Sequence, residues 1–426
     1  MWHVDGDAAT SGDGTSWSSP FQHLDDALGV AVSGDQVWVK ELVAGSYRPR
    51  RRTIPADPRS ATFLVPDGIR LIGGFLGTEA TLPPLGSVRR TTLSGDLGQA
   101  GVAGDNSYHV LMHGDPTVPH PVPTSIERFT IRDGQADSAP NHRGGGVYAF
   151  GMRLRFADCV FRSNTAQQGG AVFAELGTLS FERCAFVENV AIGIGGAIYA
   201  RTLTLDAVNG RFEGNVSGGH GGAVFLASIG ASASGFPNAR FQNCVYAANS
   251  AGDRGGSVYL SGSQFSSGRG AFVNCTFAGN AATTEGGSVA AQTATQTAAV
   301  GVLRNCVSWG NEAPASPELW GTQDVAYSDV AGGVLPGPGN VSVDPLLGAG
   351  LVPTPGSPCL DAGSDGGVLP DLLDLDEDGD TGEPTPLDAR VQPLARFLDD
   401  PDVADTGCCL APIVDIGAFE GTATTP

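Results

Sequence analysis

The densest run of ion-binding side chains is Asp374-Leu375-Asp376-Glu377-Asp378-Gly379-Asp380. Carboxylates at alternate positions, followed by a glycine for the tight turn, match the first half of a calcium loop, where hard oxygen ligands converge on one cation. Five carboxylates packed so closely repel one another without a cation, so Asp374, Asp376, Asp378 and Asp380 are the expected calcium ligands. The twelfth position holds Thr385 where an EF-hand has its bidentate Glu, which leaves Glu383 or Asp388 to close the shell. The plain alternative is a solvated acidic loop.

A second set lies upstream. His220, Arg254 and Glu285 occupy one slot, directly before a glycine pair, in successive segments of similar sequence, and Asp253 sits beside Arg254. An imidazole, a guanidinium and two carboxylates can bind sugar hydroxyls or supply the acid and base for cleaving a glycosidic bond. Elsewhere the same slot takes Arg143, Gln168 and Ile194, so it does not define one chemistry. A charge-compensated solvated edge is the competing reading.

The elements that would place these residues are repeats. Cys159-Val160-Phe161 with Asn164 recurs as Cys184 with Asn189, Cys244 with Asn249, Cys275 with Asn280 and Cys306 with Asn311. Gly210-Arg211-Phe212 with Asn215 is a variant, and Phe129-Thr130-Ile131 an earlier copy. Between units stand glycine pairs at 144–145, 169–170, 195–196, 221–222, 255–256 and 286–287, with an apolar residue at Val147, Val172, Ile198, Val224, Val258 and Val289. Short alternating segments bounded by Gly or Asn are strand-and-turn patterning with no helical window. A unit of 25 to 34 residues cannot bury its own apolar face, but stacked units can, each strand pairing in parallel with its equivalents. The spacing therefore predicts an all-β parallel β-helix over residues 36–345, in which one coil rises about 4.8 Å. Paired glycines permit positive φ at a corner, and the ladder Asn is expected to take the left-handed bend and to bond from coil to coil. The five ladder cysteines read as small buried fillers, because no C-x-x-C or His-containing zinc spacing accompanies them. Cys359, Cys408 and Cys409 lie off the ladder and can supply one disulfide.

An open solenoid end exposes strand edges, and a helix laid across it is the usual remedy. Phe21, Leu24, Ala27, Leu28 and Ala31 have helical spacing, with Ser19 as N-cap and Pro20 at the first turn, so residues 19–33 are expected to form a short capping helix within an N-terminal cap of 1–35. Residues 346–426 are Pro- and Gly-rich and read as a loop-rich C-terminal module.

These motifs resemble known families. The Gly-Gly-Ala/Ser-apolar turns and the aromatic-x-x-Asn motifs (Phe161 to Asn164, Phe186 to Asn189, Phe212 to Asn215, Phe277 to Asn280) are similar to polymorphic outer-membrane adhesin repeats, which implies a right-handed solenoid. No transmembrane β-barrel accompanies them. Gly73-Gly74-Phe75, Gly77-Thr78-Glu79 and Leu93-Ser94-Gly95-Asp96 resemble the opening of secreted pectate-lyase-like β-helix proteins, without a catalytic residue. Gly356-Ser357-Pro358-Cys359-Leu360-Asp361-Ala362-Gly363, with Asp415-Ile416-Gly417-Ala418-Phe419-Glu420, resembles the choice-of-anchor Q module that follows β-helices on exported bacterial surface proteins. These resemblances imply an extracellular or cell-surface location.

Composition narrows the function classes. Glycine fills 62 of 426 positions, roughly twice the usual ~7% share. The net charge is −21 and Lys40 is the lone lysine, which excludes a basic footprint for nucleic acid or anionic membrane. No apolar run reaches the ~18 residues of a transmembrane span. Met1 to Asp5 lacks signal-peptide character, and the chain is expected to be exported material from which such a signal is gone. Two classes remain: a noncatalytic protein that binds a polysaccharide or cell-surface ligand through His220, Asp253, Arg254 and Glu285, or a calcium-dependent polysaccharide lyase or glycoside hydrolase. Lyase chemistry would use an Arg or Lys base, and Arg254 has no clustered Asp trio beside it; hydrolysis would want several Asp on adjacent strands, where only Asp253 stands.

Overall fold

A glycine pair or an asparagine at each corner leaves only short extended segments between corners, and these segments pair in parallel. The computed structural model describes residues 1–82, 89–114, 120–138, 141–227, 238–262, 268–293, 298–371, 375, 379–385, 387–390, 395, 403, 405–408 and 413–421. The chain divides into two compact units, Met1–Thr204 with Asn215–Ser217, and Leu205–Gly214 with Gly218–Pro426.

In the first unit, one sheet passes in parallel through Trp2–Val4, Gln36–Lys40, Arg70–Phe75, Thr124–Glu127, Val147–Ala157 and Val172–Glu182. A second holds Thr91–Ser94, Phe129–Arg132, Val160–Arg162 and Ala185–Val187. A third holds Gln135–Ala136, Thr165–Gln168, Val190–Ile194 and Val216–Ser217. Successive turns of chain give one strand to each sheet, which makes a parallel β-helix, right-handed like nearly all parallel crossovers. The second unit repeats the scheme. Val245–Ala247, Thr276–Ala278, Val307–Trp309 and Asp329–Val330 pair in order, as do Val224–Ala227, Val258–Ser261, Val289–Ala291 and Leu319–Trp320.

The register is that of the sequence repeat. Phe161 faces Phe186, Tyr246 faces Phe277, and their rings stack at 4.7 Å in both pairs. Cys159 and Cys184 lie on adjacent coils, as do Cys244, Cys275 and Cys306, all five buried and free. Burial pushes the Cys159, Cys275 and Cys306 thiols well above the usual thiol range.

The Asn ladder forms, but not with the backbone expected of it. The left-handed bends fall one residue earlier, at Ser163, Glu188, Gly214, Ala248, Gly279 and Gly310, and again just before each ladder Cys, at Asp158, Arg183, Asn243, Asn274 and Asn305. The ladder Asn instead turns its amide inward. Asn280 Nδ2 donates to Tyr246 O at 2.9 Å and to Asn311 Oδ1 at 2.8 Å, and its Oδ1 accepts from Asn249 N and Nδ2 at 3.0 and 2.9 Å. Asn164, Asn189 and Asn215 repeat the pattern in the first unit. A side chain with two donors and two acceptor sites is used completely, which an αL backbone role alone would not require. The glycine pairs need no correction. Gly255 has φ +68, and a Cβ on Gly256 would stand 2.0 Å from Gly287 O, so the second glycine lets consecutive coils touch.

The capping helix is shorter than expected, Leu24–Val30, with His23 at its N-cap and no side-chain cap bond. Pro20 and Phe21 are held elsewhere: Gly12 N donates to Pro20 O, Phe21 N to His3 O, and Asp5 N to Phe21 O. The N-terminal segment so pinned pairs Trp2–Val4 with Gln36–Lys40 before the helix begins. Leu24, Ala27 and Leu28 are the helix's buried face.

Among its described residues the C-terminal segment 346–421 carries no strand, only the 3-10 turns Ala349–Leu351 and Asp365–Gly367. Its two sequence motifs meet: Asp361 N donates to Asp415 Oδ1 at 2.8 Å, and Ile416 N to Cys359 O at 2.9 Å. Ile416, Cys359 and Ala362 pack on Val307, while Ala418 and Phe419 pack on Val245. Gly417 N to Asn305 O and Ala418 N to Thr276 Oγ1 tie the same strip to the coils. Cys359 is a free buried thiol and Cys408 is disulfide-bonded, so Cys359 is not part of the bridge; Cys409 lies outside the described residues.

Two stability predictions follow from the ladder. Asn280→Ala leaves Asn249 N, its Nδ2 and Tyr246 O without partners, and is expected to cost roughly 3 kcal/mol by denaturant midpoint, since each orphaned buried group costs about 1–3 kcal/mol. Tyr246→Phe removes a buried hydroxyl that has no hydrogen-bond partner and is expected to change stability by less than about 1 kcal/mol or to raise it. Equal losses in the two variants would refute the hydrogen-bond account. In a thiol titration the native protein should be unreactive and at least six thiols, the free ones on the ladder plus Cys359, should react after unfolding without reductant.

Candidate functional site

His220, Arg254 and Glu285 do form one row, on the second unit. Arg254 and Glu285 are parallel bridge partners, and Arg254 Nε donates to Glu285 Oε2 at 2.8 Å. Asp253 sits between the coils: its Oδ1 is 4.0 Å from Arg254 Nε and its Oδ2 is 3.6 Å from His220 Nδ1, the latter beyond hydrogen-bond reach. Thr284 Oγ1 donates to the Asp253 carboxylate at 2.5 Å and fixes its orientation. All four side chains are partly open, Asp253 the most at 39% and Glu285 the least at 26%.

A stack of rings backs the row. Phe225 and Tyr259 stack at 5.4 Å, the His220 ring lies 4.4 Å from Tyr259 and tilted by 16°, and the Arg254 guanidinium sits 4.6 Å over Trp320. Each slot residue thus lies on a ring contributed by the following coil. The first unit has the same device: Tyr148, Phe173 and Tyr199 stack at 5.5 and 5.1 Å, with Arg143 4.9 Å over Phe173. These rings occupy the position directly after the apolar residue of each turn, and the sequence displays them there. They escape notice because alternation assigns that position to solvent, whereas packing beneath the slot buries it.

The electrostatics follow from this packing. Burial lowers the His220 pKa below the usual imidazole value; Asp253 pulls it back up and Arg254 pushes it down. Burial raises the Tyr259 hydroxyl, opposed by Arg254. Arg254 is engaged by Glu285 and Trp320, and the His220–Asp253 pair is not hydrogen-bonded, so the row as it stands is a set of fixed contacts more than an acid–base pair.

The expected calcium ligands are not brought together within the described residues. Asp374, Asp376 and Asp378 lie outside them, and Asp380 is exposed, its Oδ1 accepting from Gly382 N at 2.9 Å. Asp388, offered as a closing ligand, is buried and paired with Arg390, and it accepts Glu420 N at 3.2 Å. Among the described residues no group of three or more His, Cys, Asp or Glu side chains is placed to hold a metal ion.

One charged array on the first unit was not foreseen. Arg70 holds Glu127 with two bonds of 2.7 and 2.8 Å, Arg155 spans Glu127 and Glu182, and Arg183 pairs with Asp158 and Glu182. Burial raises the Glu182 carboxyl despite Arg155 and Arg183; at Glu127 burial is outweighed by Arg70, Ser125 and Arg155, and the carboxyl is lowered. The partners are set by strand register, which the irregular spacing of the early coils hides.

A titration of His220 by NMR tests the row. Its pKa is expected below 6.5, lower still in Asp253→Asn and higher in Arg254→Gln. Because the folded value is depressed, this group's contribution to stability is present above 6.5 and is lost as pH falls through the folded pKa. The reverse order of the two variants would remove the assigned electrostatics.

No family model matches the chain, and no curated protein matches it. Among solved structures it is similar to a pectin methylesterase in complex with a hexasaccharide, at TM-score 0.36 and 15% identity over 65% of this chain and 78% of that one. It is also similar to a pectate lyase, at TM-score 0.38 and 12% identity over 98% of this chain and 96% of that one. Likenesses of this size transfer neither a residue role nor an activity.

Proposed function

We propose that this chain is a noncatalytic protein acting outside the cytoplasm, extracellular or at a cell surface, that binds carbohydrate or another surface ligand along the flank of its β-helix. The observation that carries the reading is the half-open row His220, Asp253, Arg254 and Glu285, held by ring stacking and an inter-coil ion pair. Polar groups at coil spacing, about 4.8 Å apart, meet successive units of an extended polymer. Their fixed rotamers reduce the ordering cost of binding. Calcium on Asp374, Asp376, Asp378 and Asp380 belongs to the same proposal, as a clamp on a C-terminal segment with few regular elements of its own.

The competing reading, a polysaccharide lyase or glycoside hydrolase, requires a base free to move a proton. Arg254 is bound to Glu285, and His220 stands 3.6 Å from the nearest carboxylate, which favours the binding reading. The deciding experiment replaces His220, Arg254 and Glu285 together by Ala and measures retention on immobilised polysaccharides, with unsaturated uronide and new reducing ends assayed in parallel. The expected result is a loss of at least about tenfold in affinity, or roughly 1.4 kcal/mol, with an unchanged circular dichroism spectrum and no product from the parent protein. Unchanged retention moves the site elsewhere, and product formation lost on changing His220 or Arg254 makes the chain an enzyme.

A further inference from the structure

In the first unit, the loop that follows strand Thr91–Ser94 and the turn Ala103–Asp105 enclose a pocket of about 250 Å³ that has no part in the row described above. Asp96, Asn106 and Asp133 line it. Asn106 is 8% exposed and its Oδ1 is buried without a hydrogen-bond partner. Asp96 Oδ1 is likewise buried and unpartnered, its other oxygen lying 3.4 Å from Arg48 Nη2. Beside Asn106, Asp105 Oδ1 and the Ser107 hydroxyl are also buried and unpartnered. Asp133 has one oxygen already taken by Ser94 Oγ at 2.9 Å.

Buried polar oxygens are normally paired, and each one left unpaired carries a desolvation cost. Here three of the four orphaned atoms are pure acceptors, so a neighbouring acceptor cannot satisfy them. What satisfies such a set at once is positive charge. The donors are carboxylate and amide oxygens, with no thiolate or imidazole among them, which selects a hard cation. An irregular shell completed by water is tolerated by calcium and not by magnesium, which demands near-octahedral geometry.

We propose that Asp96 and Asn106, with Asp133 on the pocket wall, form a calcium site of the first unit, independent of the Asp374 loop and of the carbohydrate reading. Two protein ligands with water imply modest affinity, on the order of 10⁻⁴ M, as in extracellular calcium modules. Such a site would respond to millimolar extracellular calcium.

The test uses the full-length chain carrying Asp374→Asn, Asp376→Asn, Asp378→Asn and Asp380→Asn, so that the acidic loop contributes nothing, with binding read by equilibrium dialysis of radioactive calcium. One calcium per chain is expected to remain. Asp96→Asn in that background should weaken it by about tenfold or more, while Asn106→Asp, which adds a charged ligand, should tighten it several-fold. Melting in chelator controls for folding, and there Asp96→Asn should be no less stable than its parent, because it removes an uncompensated buried carboxylate. No calcium retained by the fourfold variant, or retention indifferent to both substitutions, would overturn the site.

Discussion

Every ladder Asn amide is buried, and its hydrogen-bonding capacity can be met only from one coil away. Asn280 takes a backbone carbonyl from the coil before it, an amide oxygen from the coil after it, and gives its own oxygen to Asn249. No intracoil arrangement satisfies the same groups, and leaving them unmet in the interior costs more than a typical surface contact returns. The amides therefore lock register. Once register is fixed at that corner, the stacking of Phe161 on Phe186, the adjacency of the ladder cysteines and the meeting of glycine backbones at Gly256 and Gly287 follow as geometry. Variation in repeat length is pushed to the corners that carry no Asn.

The same constraint explains why the C-terminal segment can be almost devoid of regular structure. It does not need a core of its own, since Ile416, Ala418 and Phe419 are buried against outward residues of strands whose positions the ladder has already set. Its backbone donors are taken by Asn305 O and Thr276 Oγ1 on those strands. The residues just before the ladder Cys serve a second purpose there: Asn305 holds a left-handed bend and also bonds Ser364 in both directions. A bend residue on one coil thus becomes an anchor for a distant stretch of chain.

The parts of the fold set by short-range periodicity were legible in the sequence. Cys159, Phe161 and Asn164 recur at fixed spacing because every copy solves the same packing problem, and the parallel stack follows from the inability of one copy to bury its face. The helix limits were not legible: Pro20 is a good first-turn residue locally, but the backbone of Pro20 and Phe21 is claimed by pairing with the first strand, which local propensity does not see. The bend position was misread by one residue for a similar reason, because Asn suits both an αL backbone and a bonded side chain, and only the inter-coil partners choose between them. The row at His220, Arg254 and Glu285 was found from slot arithmetic. The rings beneath it were not, since burial on the outward face depends on the slot residue folding over Tyr259 and Trp320.

Charge sets what such a row can hold. The chain carries −21 overall, and with His220 neutral the row itself sums to −1, its guanidinium already facing Glu285. A polyanionic glycan would approach against that field, which salt screens only over about 8 Å at physiological ionic strength. A neutral polymer meets the same donors and acceptors without that penalty, offering hydroxyls that give to Asp253 and accept from Arg254. For an acidic polymer the balance reverses only when a divalent cation sits between carboxylates on both sides, and then affinity follows calcium concentration instead of the guanidinium. The row on its own therefore favours neutral sugar chains, and dependence of binding on calcium would report the sign of the ligand's charge.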